Sequence, residues 1–280
     1  MAQITPFGQE SDISSKPTRY LEGQLDTSLR QPVRVASVAE LSWVARTGRP
    51  DALPVTPLLL GEQPALAYPY AYAGLAREIA AAPAIALTLS DPRMTGAGWR
   101  AMTATGHASL VEDPDGEIFR TRLLREELRK HPPSRTLADS LMLQREHWWF
   151  LPRLIIVMDL GPAMPVEPRV NGESQVLSVW DGDLLHVDTV RTSDSGADLL
   201  KLTSLSGRPP LDGPAALLGH DFSVPDLERW TPWLTRGTVA GDVLSVTEWP
   251  ERTTLEPSLS LRQRYRRHRD LEKACRANIP

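Results

Sequence analysis

The chain has 280 residues, 41% of them hydrophobic, and a formal net charge of −4. That is enough apolar material for one large or two moderate domains, which excludes wholesale disorder. A mildly acidic chain is not a global nucleic-acid binder, and its single cysteine, Cys275, excludes both an internal disulfide framework and a cysteine-built zinc site.

In chain order, residues 1–33 are polar and aperiodic and are expected to form an N-terminal arm. They lack the charged start and apolar run of a signal peptide. The apolar stretch at 154–158, Leu-Ile-Ile-Val-Met, is far too short to span a bilayer. The expectation is a cytoplasmic protein without membrane contact. Residues 35–45 fit a short helix or a strand. A turn at 47–51 leads to a strand over 52–60, whose prolines suit a sheet edge. Residues 64–70 read as a strand, with Tyr70 and Tyr72 alternating to one side. Residues 73–82 read as a short helix with Leu75 and Ile79 on one face. A continuous apolar strand follows at 84–90, then a long strand over 99–113 bent at Gly106.

Residues 115–130 have the period of an amphipathic helix, with Phe119, Leu123, Leu124 and Leu128 on its apolar face. A second helix is expected over 134–147, and a buried strand over 148–160. Residues 161–174 form a proline-rich linker by composition. The β pattern then resumes with a hairpin over 175–190, turning at Asp-Gly, and a strand at 198–205. The C-terminal segment, 257–280, is a basic helix, suited to solvent or to a subunit contact. The 25 prolines argue against a helical bundle.

An internal repeat bears on the architecture. Pro83, Leu87, Trp99 and Gly106 recur as Pro214, Leu218, Trp230 and Gly237, each 131 positions on. Upstream, Gly-Arg-Pro at 48–50 recurs at 207–209, a shift of 159, so the first copy is expected to hold 28 residues more between those landmarks. The repeat favours a duplicated β-barrel half, and the fold class expected is mainly β (α+β): two tandem split β-barrel halves with a few peripheral helices. The domains expected are 34–160 and 175–256.

The segments Thr-Gly-Arg-Pro-Asp-Ala-Leu-Pro-Val-Thr-Pro-Leu-Leu-Leu (47–60), 65–92 and 99–115 resemble, in their order, FMN-binding split-barrel proteins of the pyridoxamine 5′-phosphate oxidase-like family. The resemblance covers residues 34–160, and 175–250 more weakly through the repeat. It implies a six-stranded split barrel, flavin mononucleotide (FMN) in a cleft between two barrels, and oxidoreductase chemistry on a small organic molecule. A tandem copy would supply both barrels, so the assembly implied is a monomeric pseudo-dimer or a homodimer.

Many family members grip the FMN phosphate with a Ser-x-Lys-x-Arg segment. Aligned on Pro83, those positions hold Ala73, Leu75 and Arg77, so only the arginine matches. Charge-assisted hydrogen bonds are the strong contacts to phosphate, and two of the three are missing. Three readings stay open. FMN is held by Arg77, Thr56 and backbone N–H groups, with help from Arg100 or Lys201; the cleft holds a deazaflavin or haem; or the barrel is a cofactor-free binding or regulatory module.

The remaining candidates follow from position. Val55 and Thr88 would meet the flavin edge through strand backbone. Tyr70, Tyr72, Trp99 or Trp148 would cover a planar ring, or alternatively close the barrel end. For haem the axial candidates are His107, His147 and His220, none with metal-ligand spacing to another histidine. No nucleophile elbow, phosphate loop or dinucleotide fingerprint occurs, and no catalytic side chain is assigned.

Overall fold

The structure, a computed structural model, describes residues 27–135, 148–170 and 172–280. Of the expected helix over 134–147 only Ser134 and Arg135 are described, Ser134 ending a 3₁₀ turn, and the haem candidate His147 and most of the expected arm lie outside the described residues. The part of the arm that is described, Thr27–Val35, is not a loose lead-in. It is a helix (α1) whose Leu29 and Val33 are fully buried.

The first half contains strands β1 (Ala39–Val44), β2 (Pro50–Val55), β3 (Leu58–Leu60), β4 (Gln63–Pro69), β5 (Ile85–Leu89), β6 (Met102–Asp113) and β7 (Arg153–Leu160). They pair in the order β2-β1-β5-β6-β7-β4-β3. The edge strands β2 and β3 are consecutive in sequence, separated only by Thr56 and Pro57, so the sheet must curl until its two edges meet. This is a barrel split at one seam. Alternation decides what fills it: Leu41, Trp43, Leu66, Leu87, Ile156 and Met158 point into one apolar core.

A short strand, β8 (Met164–Pro165), pairs with the start of β6, and the chain then enters the second half. There β9 (Ser174–Trp180), β10 (Leu185–Gly196), β11 (Leu199–Ser204), β12 (Gly213–Phe222), β13 (Trp230–Ala240) and β14 (Val243–Glu248) form a closed barrel in the order β10-β11-β14-β13-β12-β9. Read around the circle, this is the strand order of the first half, with one long β10 where the first half has β2 and β3. The fold is therefore mainly β with split-barrel topology.

Two of the repeated residues occupy like places. A Cβ on Gly106 would lie 2.0 Å from the Asp159 carbonyl oxygen on the neighbouring strand, and one on Gly237 would lie 2.1 Å from that of Ser245. The Gly-Arg-Pro match is a correction. Gly48 turns β1 into β2, whereas Gly207 lies between β11 and β12, a different connection. The turn at 181–184 is the counterpart of the one at Gly48. Two connections, not 28 residues at one place, set the halves apart. In the first half 15 residues between β4 and β5 hold helix α2 (Ala73–Ala80), and the long β6–β7 connection holds helix α3 (Leu124–Lys130).

Local readings differ in three places. The stretch over 115–130 begins with a π-helical turn at Phe119–Leu123 before α3, anchored by the Asp113 carboxylate, which accepts from the backbone N–H groups of Ile118 and Phe119. Tyr70 and Tyr72 stand on a 3₁₀ turn rather than a strand, and so do Trp148 and Trp149. On such turns neighbours face different environments: Tyr70 is buried and Tyr72 exposed, Trp149 buried and Trp148 exposed. The C-terminal helix α4 (Leu261–Asn278) carries a Ser260–Gln263 capping box and packs its Cys275 against the first barrel.

Candidate functional site

The two barrels meet along one face of each. In β1 and β5 the residues that do not point into the first core, Glu40, Ser42, Val44, Ala86 and Thr88, point at the second barrel. In β9 and β12 the corresponding residues are Val176, Ser178, Ala216, Leu218 and His220. These strands are buried on both faces, which is why residues 84–90 read as an unbroken apolar run. Part of the contact is apolar, with Val44, Ala52, Ala86, Val176, Leu185, Val187 and Leu218 in one cluster. The rest is polar. Ser42 and Ser178 hydroxyls lie 2.6 Å apart across it, while Thr88 pairs with Thr103 of the neighbouring strand in its own barrel at 2.9 Å.

At one end of this seam lies a buried chain of charges. His220 Nε2 is 2.9 Å from Glu40 Oε1, with both side chains fully buried. Arg169, from the segment between the barrels, reaches Asp91 Oδ2 at 2.9 Å and donates to the His220 carbonyl at 3.3 Å. Arg93 forks onto Asp91, reaches Asp221 Oδ1 at 2.7 Å and stacks over Phe222 at 3.9 Å. The Ser90 hydroxyl donates to Glu40 at 2.8 Å. Burial and then Arg169 hold His220 below the usual histidine range, so the ring is neutral near pH 7. Its Nε2 lies 2.9 Å from Glu40 Oε1 and 3.0 Å from Arg169 Nη2, with Nδ1 3.5 Å from the same Nη2, so the ring bridges the carboxylate and the guanidinium. Burial opposes ionisation of Asp91, but the hydrogen bonds from Arg93 and the charge of Arg169 outweigh it, and its carboxyl stays below the usual range.

This seam does not fit a phosphate-bearing cofactor. Its charges are three carboxylates against two guanidiniums, each guanidinium already within 3 Å of a carboxylate, and an anion would meet net negative charge. Apolar side chains fill the remainder. Thr88 and His220 are brought together here, both beside Glu40, but as parts of a packed interface.

Arg77 lies elsewhere. It sits in the last turn of α2, not at the positive end of the helix, and pairs with Glu112 at 3.1 Å on the surface. Glu112 is near the far end of β6 from Thr103, nine residues or about 30 Å of strand away. Arg77 and Thr88 therefore do not share one site. Val55 points into the first core, Thr56 is half-buried at the β2–β3 step, and Trp99 is half-buried against the same core. Arg100 is exposed, and Lys201 sits on the second barrel 3.7 Å from Asp242. His107 is exposed on β6, in register with Asp159.

One predicted group does converge. Tyr70, at the end of β4, is close enough to Arg77 and Glu112 to feel both charges, and Tyr68 meets Tyr72 edge-to-face at 6.3 Å. The hydroxyls of Tyr68 and Tyr70 are buried with no hydrogen-bond partner among the described residues. Burial, with Glu112 adding to it, pushes the Tyr70 phenol up to about 12. Burial raises that of Tyr68 as well. At this tyrosine end Tyr72 presents the exposed ring, and the Tyr68 and Tyr70 hydroxyls are enclosed behind it. For a phosphate this end offers one arginine already facing a carboxylate. The expected phosphate clamp is not assembled there.

Sequence reasoning missed Glu40, Asp91, Arg93 and Arg169. The signal for Glu40 was present, a carboxylate inside the apolar strand Ala-Glu-Leu-Ser-Trp-Val, where alternation leaves it facing something buried. Arg169 gave none, standing in a stretch that reads as linker. Among the described residues no cluster of histidine, cysteine and carboxylate side chains is arranged to hold a metal, and no helix is long and apolar enough to cross a membrane.

No family model and no curated protein matches the chain. Among solved structures, an F420 reductase is 20% identical over 49% of this chain and 94% of its own, with a TM-score of 0.34. The heme storage protein HutZ from Vibrio cholerae is 14% identical over 50% of this chain and 94% of its own, with a TM-score of 0.35. A heme binding protein from Mycobacterium smegmatis is 13% identical over 89% of this chain and 96% of its own, with a TM-score of 0.32.

Proposed function

We infer that this chain is a cofactor-binding split-barrel protein, and that a planar cofactor of the flavin class lies across the tyrosine end of its first barrel. One observation carries this reading: the Tyr68 and Tyr70 hydroxyls are buried without partners beside the exposed ring of Tyr72. A buried hydroxyl left unpaired costs about 1–3 kcal/mol, which a ring edge bearing carbonyl and nitrogen acceptors would recover. Tyr72 supplies a face for the ring, and Arg77 stays with Glu112. The resemblance to pyridoxamine 5′-phosphate oxidase-like proteins points the same way, toward oxidation or reduction of a small organic molecule. A bound flavin or deazaflavin supplies hydride transfer; the chain's own part is to orient the ring and shed water from it. The common strand order supports descent of the two barrels from one by duplication. Haem has less to recommend it, since His220 is committed to Glu40 and His107 faces solvent.

The test is the visible spectrum of the purified chain before and after incubation with FMN, a deazaflavin and haemin, each followed by desalting. Retained flavin or deazaflavin bands are expected. Tyr72→Ala should weaken binding about tenfold and Arg77→Ala by less than about threefold. A Soret band in place of flavin bands, no retained chromophore, or loss of binding in Arg77→Ala would each overturn the reading.

A further inference from the structure

The first half of α4 carries charge of one sign. Residues 261–269 contain five arginines and no acidic residue. Without those five the chain would stand at −9 rather than −4. Arg264 pairs with Glu228 at 3.0 Å, but Arg262, Arg266 and Arg267 make no ion pair among the described residues. Between the arginines stand two exposed apolar residues one turn apart, Leu261 at 84% and Tyr265 at 64% exposure. With Arg262, Arg266 and Arg269 they make one open face of the helix. Arginines alternating with exposed leucine and tyrosine are a surface for an acidic, partly apolar partner.

Such a surface exists on the same chain. One end of the second barrel is made of three neighbouring connections, β9–β10, β11–β12 and β13–β14, tied together where Gly241 N–H donates to Asp212. They present Asp181, Asp183, Asp212 and Asp242, with Leu184 and Leu211 exposed among them. Lys201, on Asp242, and Arg208 offset only part of that charge. The α4 face cannot reach this rim within one molecule. Arg264 is held by Glu228 in the β12–β13 connection, at the opposite end of the barrel, and the ten residues of β12 between the ends span about 33 Å.

We propose that the arginine face of α4 docks on the aspartate rim of the second barrel in another copy of this chain. With both patches turned to one side of the barrel, two copies side by side and antiparallel would make the contact twice about a twofold axis, closing the assembly as a dimer rather than a head-to-tail chain. Leu261 and Tyr265 would cover Leu184 and Leu211, and arginines would face aspartates around them. The proposal is independent of any cofactor.

The experiment is sedimentation velocity of the full chain at about 50 mM and about 500 mM salt, a range over which the screening length falls severalfold. A dimer that weakens at high salt is expected. Reversing Arg262→Glu with Arg266→Glu, or Asp183→Arg with Asp242→Arg, should each raise the dimer dissociation constant about tenfold or more at low salt. All four side chains are on the surface, so thermal melting should match the parent and exclude misfolding. Mixing the two charge-reversed proteins should restore a dimer, since both contacts in the mixed pair are attractive and both contacts in each self-pair are repulsive. A chain that stays monomeric at low salt, a dimer indifferent to the α4 reversal, or a mixture that fails to pair overturns the proposal. So does a monomer that instead takes up an acidic peptide or an RNA through α4.

Discussion

Glu40 of the first barrel and His220 of the second, 180 positions apart, meet at 2.9 Å with no solvent exposure on either side chain. The contact ties a polar residue on the outer face of β1 to one on the outer face of β12, so the two barrels share a buried hydrogen bond. Removing His220 leaves the buried Glu40 carboxylate with only the Ser90 donors, while Arg169 keeps Asp91. His220→Ala is expected to destabilise the chain by about 3 kcal/mol, read from the denaturation midpoint. His220→Gln, which keeps a donor, should cost distinctly less.

The same histidine sets a pH dependence. Its folded-state value is depressed below the unfolded 6.5 by burial and by Arg169, so the unfolded chain binds the proton more readily. The stability associated with the neutral ring is fully present above about pH 6.5 and is lost as pH falls from there through the folded value. Thermal melting should decline across that window in the parent. In His220→Gln the decline should be shallower; an unchanged slope would assign it to other groups.

Lys130 is a second buried charge, 2% exposed, whose ammonium donates to the carbonyls of Val33 and Pro57 and pairs with Glu126 at 2.8 Å. It fastens α3 to α1 and to the step between β2 and β3. Burial pushes its pKa down to about 8, with Glu126 opposing. Lys130→Ala should cost about 3 kcal/mol, since two carbonyls and a carboxylate lose their donor. Hydrogen exchange should show α3 loosening before the barrel core.

Glycines separate into two kinds. At Gly106 an added Cβ meets the Asp159 carbonyl at 2.0 Å, and at Gly237 that of Ser245 at 2.1 Å, both backbone atoms that cannot move aside. Alanine at either should cost more than about 2 kcal/mol, or prevent soluble expression. Gly48 has φ +77° with nothing near its Cβ direction, so alanine there should cost only about 1 kcal/mol. Melting temperatures of the three variants should fall in two groups.

Tyr70→Phe removes a buried hydroxyl that has no partner. In the free chain it should be neutral or stabilising by up to about 1 kcal/mol, while flavin retention falls. Alkaline titration of phenolate absorbance should leave Tyr70 protonated until about pH 12 in the folded chain.

Much of this protein is written locally. Apolar runs bounded by turn residues place β4, β5, β6 and β7, the Asp-Gly turn places the β9–β10 hairpin, and Gly106 with Gly237 marks equivalent strands in two halves of like topology. These features depend on backbone sterics and side-chain direction within one element, which the sequence alone determines. What the buried and charged groups face does not depend on such local rules. Arg77 was legible as the matching member of a phosphate-binding pattern, yet folding sets it against Glu112, 35 positions on. Glu40, Asp91 and Arg169 show no functional pattern in the chain, yet the packing of one barrel on the other makes them a single network. A buried charge must be matched by whatever the fold brings within hydrogen-bonding reach, and that is decided by contacts between segments 35 to 180 residues apart.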